Sequence, residues 1–322
     1  MKIILPGGTG NIGHALVRAL AGEGHDCVVL TRHPAAVPPP ARGVAWDGRT
    51  LGAWAAECDG ADVVINLAGR SVDCRYSEKH LAEMLNSRVD STRVVGAAIA
   101  AAAHPPRVWL QAGTATLYAH RYDAPNDEAT GIIGDPPGVP ALWRRSIDIG
   151  HAWEATLAAA PTPATRKISL RTSLVMGPAK GAVFSVLAGL ARMGVGRQGD
   201  GRQYVSWIHE DDFVAACRFL IARDDLSGAF NLCAPHPLPN RDFMAALHDA
   251  VGMPLSLPVP EWALEIGAFI RRTETELILK SRRVVPGRLL AAGFQFRHPH
   301  WPEAAVDLVA KMKANRHGGP AA

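Results

Sequence analysis

KIILPGGTGNIGHALVRAL, residues 2–20, is the stretch on which the reading of the fold turns. An apolar run, Ile3 to Leu5, meets a glycine cluster, after which Ile12, Ala15, Leu16, Ala19 and Leu20 recur at the spacing of one helical face. A strand, a glycine turn and a helix in that order are the context that gives a glycine fingerprint its meaning. Glycine permits the tight turn and lets backbone N–H groups approach a pyrophosphate, while the helix N-terminus adds a favourable potential for an anion. Gly7, Gly10, Asn11, Ile12 and Gly13 are therefore candidate contacts to a dinucleotide.

The pattern repeats downstream. Apolar runs at 27–30, 63–67, 108–110 and 168–170 alternate with helical periodicity at 77–103 and 147–158. Strands alternating with helices predict an α/β fold, a Rossmann doubly wound parallel sheet, whose continuous apolar strands are buried on both faces. Beyond residue 172 the texture changes, and glycine-rich or proline-rich turns at 194–201, 235–239 and 254–260 separate shorter helical patterns at 212–221 and 241–251. The expected division is a dinucleotide-binding domain over 1–172 and a smaller α+β substrate lobe over 173–322. Residues 120–140 read as one long loop, of the kind that is functional or mobile, and 314–322 as a fraying tail.

The second strand ends in Thr31-Arg32-His33, where a site selective for NAD places an acid on the ribose hydroxyls. No acid is there, and Arg32 is suited to hold a 2'-phosphate and stack on adenine, so NADP(H) is expected over NAD(H). Asp47 follows a short third strand and serves either the adenine amine or its own turn before Gly48. Leu67, Ala68 and Gly69 are small enough, at the end of the run from Val63, for a backbone to pass close to the ribose.

The 322 residues carry a formal charge of +4 without a block of like charge, so neither nucleic acid nor an anionic membrane is an expected partner. Five cysteines, Cys27, Cys58, Cys74, Cys217 and Cys233, contain no Cys-x-x-Cys pair, which supports neither a disulfide frame nor a zinc knuckle. The apolar stretch after Lys2 stops at Pro6 and is too short for a signal peptide, and no run reaches a membrane span. A cytoplasmic protein acting on a small molecule is expected, with a homodimer left open.

With these residues assembled, the chain resembles the extended short-chain dehydrogenase/reductases, and within them the atypical "epimerase family" branch whose C-terminal segment is DUF1731, here about residues 250–300. The resemblance rests on Gly7 to Gly13, Asn66 to Gly69, Ser87-Arg88 with Thr92, Trp153-Glu154, Gly199 to Gln203 followed by Ser206 to His209, Asn231 with Ala234-Pro235, and Pro286 to Leu290 followed by Gly293-Phe294. It implies cofactor contacts on Thr31, Arg32, Leu67, Ala68, Glu83 and Arg88, and a C-terminal lobe closing over a substrate.

The superfamily's acid is the tyrosine of a Tyr-x-x-x-Lys pair, in which a nearby ammonium lowers the phenol pKa. None of Tyr76, Tyr118, Tyr122 and Tyr204 begins such a pair. Counted back from Trp153-Glu154, the tyrosine and lysine positions fall on Ser146 and Gly150. The serine or threonine that orients the carbonyl is retained as Thr114, and the position of the relay asparagine falls on Arg88. Tyr118, with His120 and Tyr122 near it, is the candidate replacement acid.

Arg88 is informative by itself, since it lies on the apolar stripe Leu81, Leu85, Arg88, Thr92, Val95, Ile99. An inward arginine needs a partner. That partner is either a ligand phosphate or carboxylate, or an internal acid such as Glu83 or Glu154. In the second lobe Arg202, Trp207 and His209 are candidate substrate contacts, and Glu210-Asp211-Asp212 reads as a helix cap. His298-Pro299-His300 supplies no third ligand, so no metal is expected.

An NADP(H)-dependent oxidoreductase acting on a small polar carbonyl or hydroxyl compound is the leading reading. A non-catalytic NADP(H)-binding sensor or scaffold, with a cell-division role as in part of the branch, is the alternative. A nucleotide-sugar epimerase or dehydratase ranks third, because it would want an acid near Arg32 and the missing tyrosine.

Overall fold

The computed structural model describes residues 1–134, 139–271 and 274–317. The first half runs β1 (Lys2–Pro6), α1 (Asn11–Gly22), β2 (Asp26–Thr31), β3 (Arg42–Ala45), β4 (Val63–Asn66), α2 (Glu78–Ala101), β5 (Val108–Thr114), α3 (Ala141–Ala159) and β6 (Arg166–Thr172). The second continues through β7 (Leu174–Met176), α4 (Val183–Arg192), β8 (Val195–Gln198), β9 (Tyr204–Val205), β10 (Trp207–His209), α5 (Glu210–Ala222) and β11 (Gly228–Leu232). It ends with β12 (Leu238–Pro239), α6 (Asn240–Val251), β13 (Leu257–Val259), α7 (Glu261–Arg271), α8 (Glu276–Leu279), α9 (Gly287–Ala291) and α10 (Trp301–His317).

Seven strands form one parallel sheet in the order β3-β2-β1-β4-β5-β6-β11. The middle of its central strands is apolar because helices cover both faces, and Ile3, Ile4, Leu5, Val63, Val64 and Ile65 are all inaccessible to solvent. One face packs Leu16 and Leu20 of α1 with Phe213 and Leu220 of α5. The other packs Val95 and Ile99 of α2 with Trp46, Trp54 and Trp109. The strand order reverses between β1 and β4, and in doubly wound sheets the ligand crevice lies outside the carboxyl ends of the strands at that reversal.

The expected boundary at residue 172 does not describe the packing. Gly228 to Leu232 pair in register with Ile168 to Thr172, so the seventh strand of the sheet comes from beyond the cut, and α5 shares the core beneath α1. The reason is that β6 would otherwise leave a row of backbone groups unpaired at the sheet edge. The smaller lobe has its own core, in which Trp301 stacks on Phe243 at 3.9 Å and meets Trp207 at 4.9 Å.

The long loop is more ordered than its composition suggests: buried Asn126 bridges to Val284, and Tyr118 to Ile133. Residues 135–138 of it lie outside the described residues. The expected fraying tail is helical as far as His317, and 318–322 also lie outside the described residues. No helix of the described residues is long and apolar enough to cross a membrane.

Candidate functional site

The crevice begins with the glycines, and each is needed for a different reason. Gly7 has φ of +76°, and a side-chain carbon there would sit 2.8 Å from Ala68 Cα. At Gly13 it would collide with the backbone of Gly8, so α1 packs onto its own turn. Gly10 is different: the nearest atom to an added carbon is 4.0 Å away, so its bareness serves something outside the chain. No side chain caps α1 at Gly10 and no acid stands in its first turn, so the amides at its start are available to an anion.

Thr31 is buried at the end of β2, and its Oγ1 accepts the His33 N–H at 3.2 Å. Arg32 beside it is exposed and forms no ion pair among the described residues. Leu67 and Ala68 leave β4 with the Ala68 N–H donated to Asn66 Oδ1 at 3.1 Å, and Gly69 faces the Arg88 side chain. A turn of glycines, an uncapped helix and an exposed arginine fit the pyrophosphate and the 2'-phosphate of NADP(H). Asp47 is the initiator of its own turn: its carboxylate accepts from Arg49 N, Thr50 N and Thr50 Oγ1, which holds its pKa low at about 2. Glu83 is joined to Arg70 at 2.8 Å.

A chamber of about 190 Å³ opens beyond the ends of β5 and β6, lined by Thr114 and Thr172 together with Ser146 of α3, Arg88 of α2, Tyr76, Glu276 and Arg282. Thr114 Oγ1 accepts the Thr116 N–H at 3.1 Å, which leaves its own proton to donate. Ser146 donates to Glu276 Oε2 at 2.6 Å, joining α3 to the C-terminal segment. Glu276 is 1% exposed, with Arg282 Nη2 at 3.7 Å from its other oxygen. Arg282 Nη1 donates to the carbonyls of Glu276 and Leu277 and so ties this segment down. Burial, reinforced by the Glu276 charge, pushes the Tyr76 phenol well above its usual range, so it stays protonated.

Arg88 bridges crevice and chamber. Its Nη1 donates to Met84 O at 3.0 Å and its guanidinium lies 4.9 Å over the Trp153 ring, whose Nε1 donates to Thr92 Oγ1. Burial lowers its pKa to about 10, which still leaves it charged near neutrality. The internal partners expected for it are engaged elsewhere, since Glu83 holds Arg70 and Glu154 grips Arg171 through two contacts of 2.8 and 2.9 Å. Among the described residues no carboxylate pairs with Arg88.

Gly150, to which the count from Trp153-Glu154 assigns the superfamily's lysine, is held to glycine by packing. A side-chain carbon at Gly150 would lie 2.7 Å from Leu117 Cδ2 and 3.2 Å from Thr114 Cγ2, so Gly150 is what lets the Thr114 turn rest on α3.

Three expectations are corrected. Tyr118 is 1% exposed and does not line the chamber; its hydroxyl donates to Asn231 and accepts from Arg171, which makes it a core brace. Trp207 is wholly buried against Trp301 because the smaller lobe needs it as core. His209 is also wholly buried and caps α5, accepting the Asp211 N–H at Nδ1, while its Nε2 bonds to Asp307 at 3.1 Å. His209, Asp211, His298 and Asp307 bring ligand atoms within 4.8 Å of one another, but the Lys311 ammonium bridges both carboxylates, at 2.7 and 3.0 Å. Arg202 is exposed, 5.7 Å over Tyr122, at the edge of a separate cleft that His120 and Tyr122 line. Tyr76, Glu276 and Arg282 are the chamber residues that sequence reasoning passed over. Tyr76 was visible but matched no pattern, and Glu276 meets Ser146 from 130 residues away.

Parallel sheet, glycine turn and uncapped helix define a Rossmann dinucleotide-binding protein of the extended short-chain type. The NAD dependent epimerase/dehydratase family model matches residues 3–233, and the chain belongs to that family; DUF1731 matches 259–308. The chain is 32% identical over 315 residues to the mouse epimerase family protein SDR39U1, covering 96% of this chain and all of that one. The crystal structure of human SDR39U1 (isoform 2) with NADPH superposes with a TM-score of 0.81 at 26% identity, covering 96% of this chain and 99% of that one. UDP-N-acetylglucosamine 4-epimerase from Bacillus cereus shares the fold, with a TM-score of 0.72 at 16% identity over 97% of this chain and 99% of that one.

Proposed function

We propose that the protein is an NADP(H)-dependent oxidoreductase that interconverts a carbonyl compound and its alcohol. The observation that carries this reading is the chamber beyond β5 and β6, where a hydroxyl at Thr114 faces a hydrogen-bonded Ser146–Glu276 pair beside the dinucleotide crevice. Gly7, Gly10, Asn11, Ile12 and Gly13 would hold the pyrophosphate and Arg32, with Thr31, the 2'-phosphate. Leu67, Ala68 and Gly69 would pass beside the ribose. The SDR39U1 relative crystallised with NADPH supports the cofactor choice.

The dinucleotide supplies a hydride when bound. The chain supplies the rest. Thr114 donates a hydrogen bond to the carbonyl oxygen, keeping its proton, and fixes that oxygen's position. Ser146 stands at the superfamily's tyrosine position; in the oxidation direction it takes the alcohol's proton as its own passes to the Glu276 carboxylate, and in the reduction direction the protonated Glu276 returns it by the same route. Tyr76, held protonated, adds a second hydrogen-bond donor, and the charge of Arg88, which pairs with no carboxylate among the described residues, attracts a ligand anion at the boundary between crevice and chamber.

Fluorescence titration with NADPH and NADH, followed by NADPH oxidation with a panel of carbonyl compounds, tests the proposal. Tighter binding of NADPH, with turnover lost in Ser146→Ala but cofactor binding retained, is expected. NADPH binding without turnover of any carbonyl would establish the sensor reading instead, which the absence of a Tyr-x-x-x-Lys pair favours.

A further inference from the structure

Outside the chamber lies a larger cleft, of about 840 Å³, and Glu276 is the residue common to the linings of both. One wall is Trp143 of α3 with His120 and Tyr122. The His120 ring stands edge-on to both, at 5.2 and 5.1 Å, and its Nδ1 accepts the Ser281 N–H at 2.8 Å, so this wall is fixed in place. The facing wall is a stripe on α7, Trp262, Ile266 and Phe269, at the i, i+4, i+7 spacing of one helical face.

These three side chains are 68%, 54% and 70% exposed. Large apolar side chains gathered on a concave wall, instead of scattered singly on a convex one, mark a surface that something covers. The charges say what. Glu261 and Glu265 line the cleft without ion-pair partners among the described residues, and Glu274 and Glu276 lie deeper. The cations at hand are engaged: Arg75 pairs with Glu274 at 3.5 Å and lies over Phe269, and Arg202 lies over Tyr122. A nucleoside diphosphate would bring two negative charges to a cleft whose described groups are mainly acidic, whereas a planar ring finds an aromatic face on either side.

We infer that this cleft binds the aromatic, uncharged or cationic portion of the substrate, placing its carbonyl in the chamber past Glu276. This rests on the oxidoreductase reading for the carbonyl alone. The substrate class is then an aromatic ketone or aldehyde without phosphate, and only its reacting group is small and polar.

The test is binding to the full chain, with and without NADP+, of 2-acetylnaphthalene, dihydroxyacetone and UDP-glucose. The aromatic ketone is expected to bind at least about tenfold more tightly than the other two. Trp262→Ser and Phe269→Ser, at exposed positions, should each weaken it by about tenfold, with thermal midpoint and NADPH affinity unchanged. Tighter binding of UDP-glucose, or aromatic affinity indifferent to both substitutions, overturns the inference. So does light scattering that shows a dimer which Trp262→Ser dissociates and the ketone does not, since the stripe would then belong to a second copy. Because the readout is binding, failure of hydride transfer would sink the oxidoreductase reading and leave the cleft assignment standing.

Discussion

Ser146 donates a 2.6 Å hydrogen bond to Glu276, and this contact joins α3 to the C-terminal segment at the chamber. The serine is the residue to which counting back from Trp153-Glu154 assigns the superfamily's acid, and the glutamate arrives from a helix of four residues. Ser146→Ala and Glu276→Gln are each expected to lower the rate of NADPH-dependent carbonyl reduction by about a hundredfold or more, the usual worth of a positioned proton donor. NADPH affinity should stay within about twofold, since losses of rate and of binding separate when a group acts in the transition state. A variant that keeps its full rate removes the pair from the mechanism.

Arg88 and Arg171 are two inward arginines with opposite expectations. Arg171 is gripped by Glu154, so Arg171→Met strands a partly buried carboxylate and should cost about 3 kcal/mol in urea unfolding. Arg88 has no carboxylate partner among the described residues, and burial already lowers its pKa. Arg88→Met should therefore leave stability unchanged or raise it, while weakening the binding of NADPH or of substrate by about tenfold, the loss of a single charge-assisted contact. Reduced stability with unchanged ligand affinity would mean that Arg88 is structural.

The glycine turn offers a contrast of the same kind. Gly13→Ala should prevent stable folding, because the added carbon meets the Gly8 backbone. Gly10→Ala places it in open space, so the thermal midpoint should hold while NADPH affinity falls by about tenfold or more, as the backbone loses its close approach to the pyrophosphate. Arg32→Ala should narrow the preference for NADPH over NADH, and an unchanged preference would remove Arg32 from the 2'-phosphate site.

His209 makes stability depend on pH. Burial, with the His298 ring stacked 3.8 Å away, lowers its pKa from 6.5 to about 4 against the opposing pull of Asp211 and Asp307, while Lys311 acts in the same sense as burial. The folded state thus favours neutral imidazole, and the unfolded chain binds the proton first. Its contribution is fully present above pH 6.5 and is lost as pH falls towards 4, at up to about 1.4 kcal/mol per pH unit. Unfolding midpoints at pH 7 and pH 5 should fall further apart in the wild type than in His209→Gln. Equal differences would show that His209 does not set this slope.

Much of the molecule follows from local sequence, and the reasons are local. Glycines between an apolar run and a helical stripe at residues 2–20 dictate β1, the turn and α1, because steric freedom at Gly7 and hydrophobic periodicity are properties of neighbours along the chain. The lack of an acid after β2 is equally legible. So is the inward position of Arg88, which one helical face betrays, although not the fact that its expected partners are taken by Arg70 and Arg171. The fate of Tyr118 and Trp207 could not be read from sequence, since a hydroxyl held by Asn231 and an indole packed on Trp301 are contacts made across the fold. Tertiary structure alone supplied the seventh strand, which closes the edge of β6, and the chamber, whose Ser146 and Glu276 meet because α3 and the C-terminal segment pack together. Side chains that converge from distant segments have no periodicity and no spacing, so their chemistry exists only once the chain has folded.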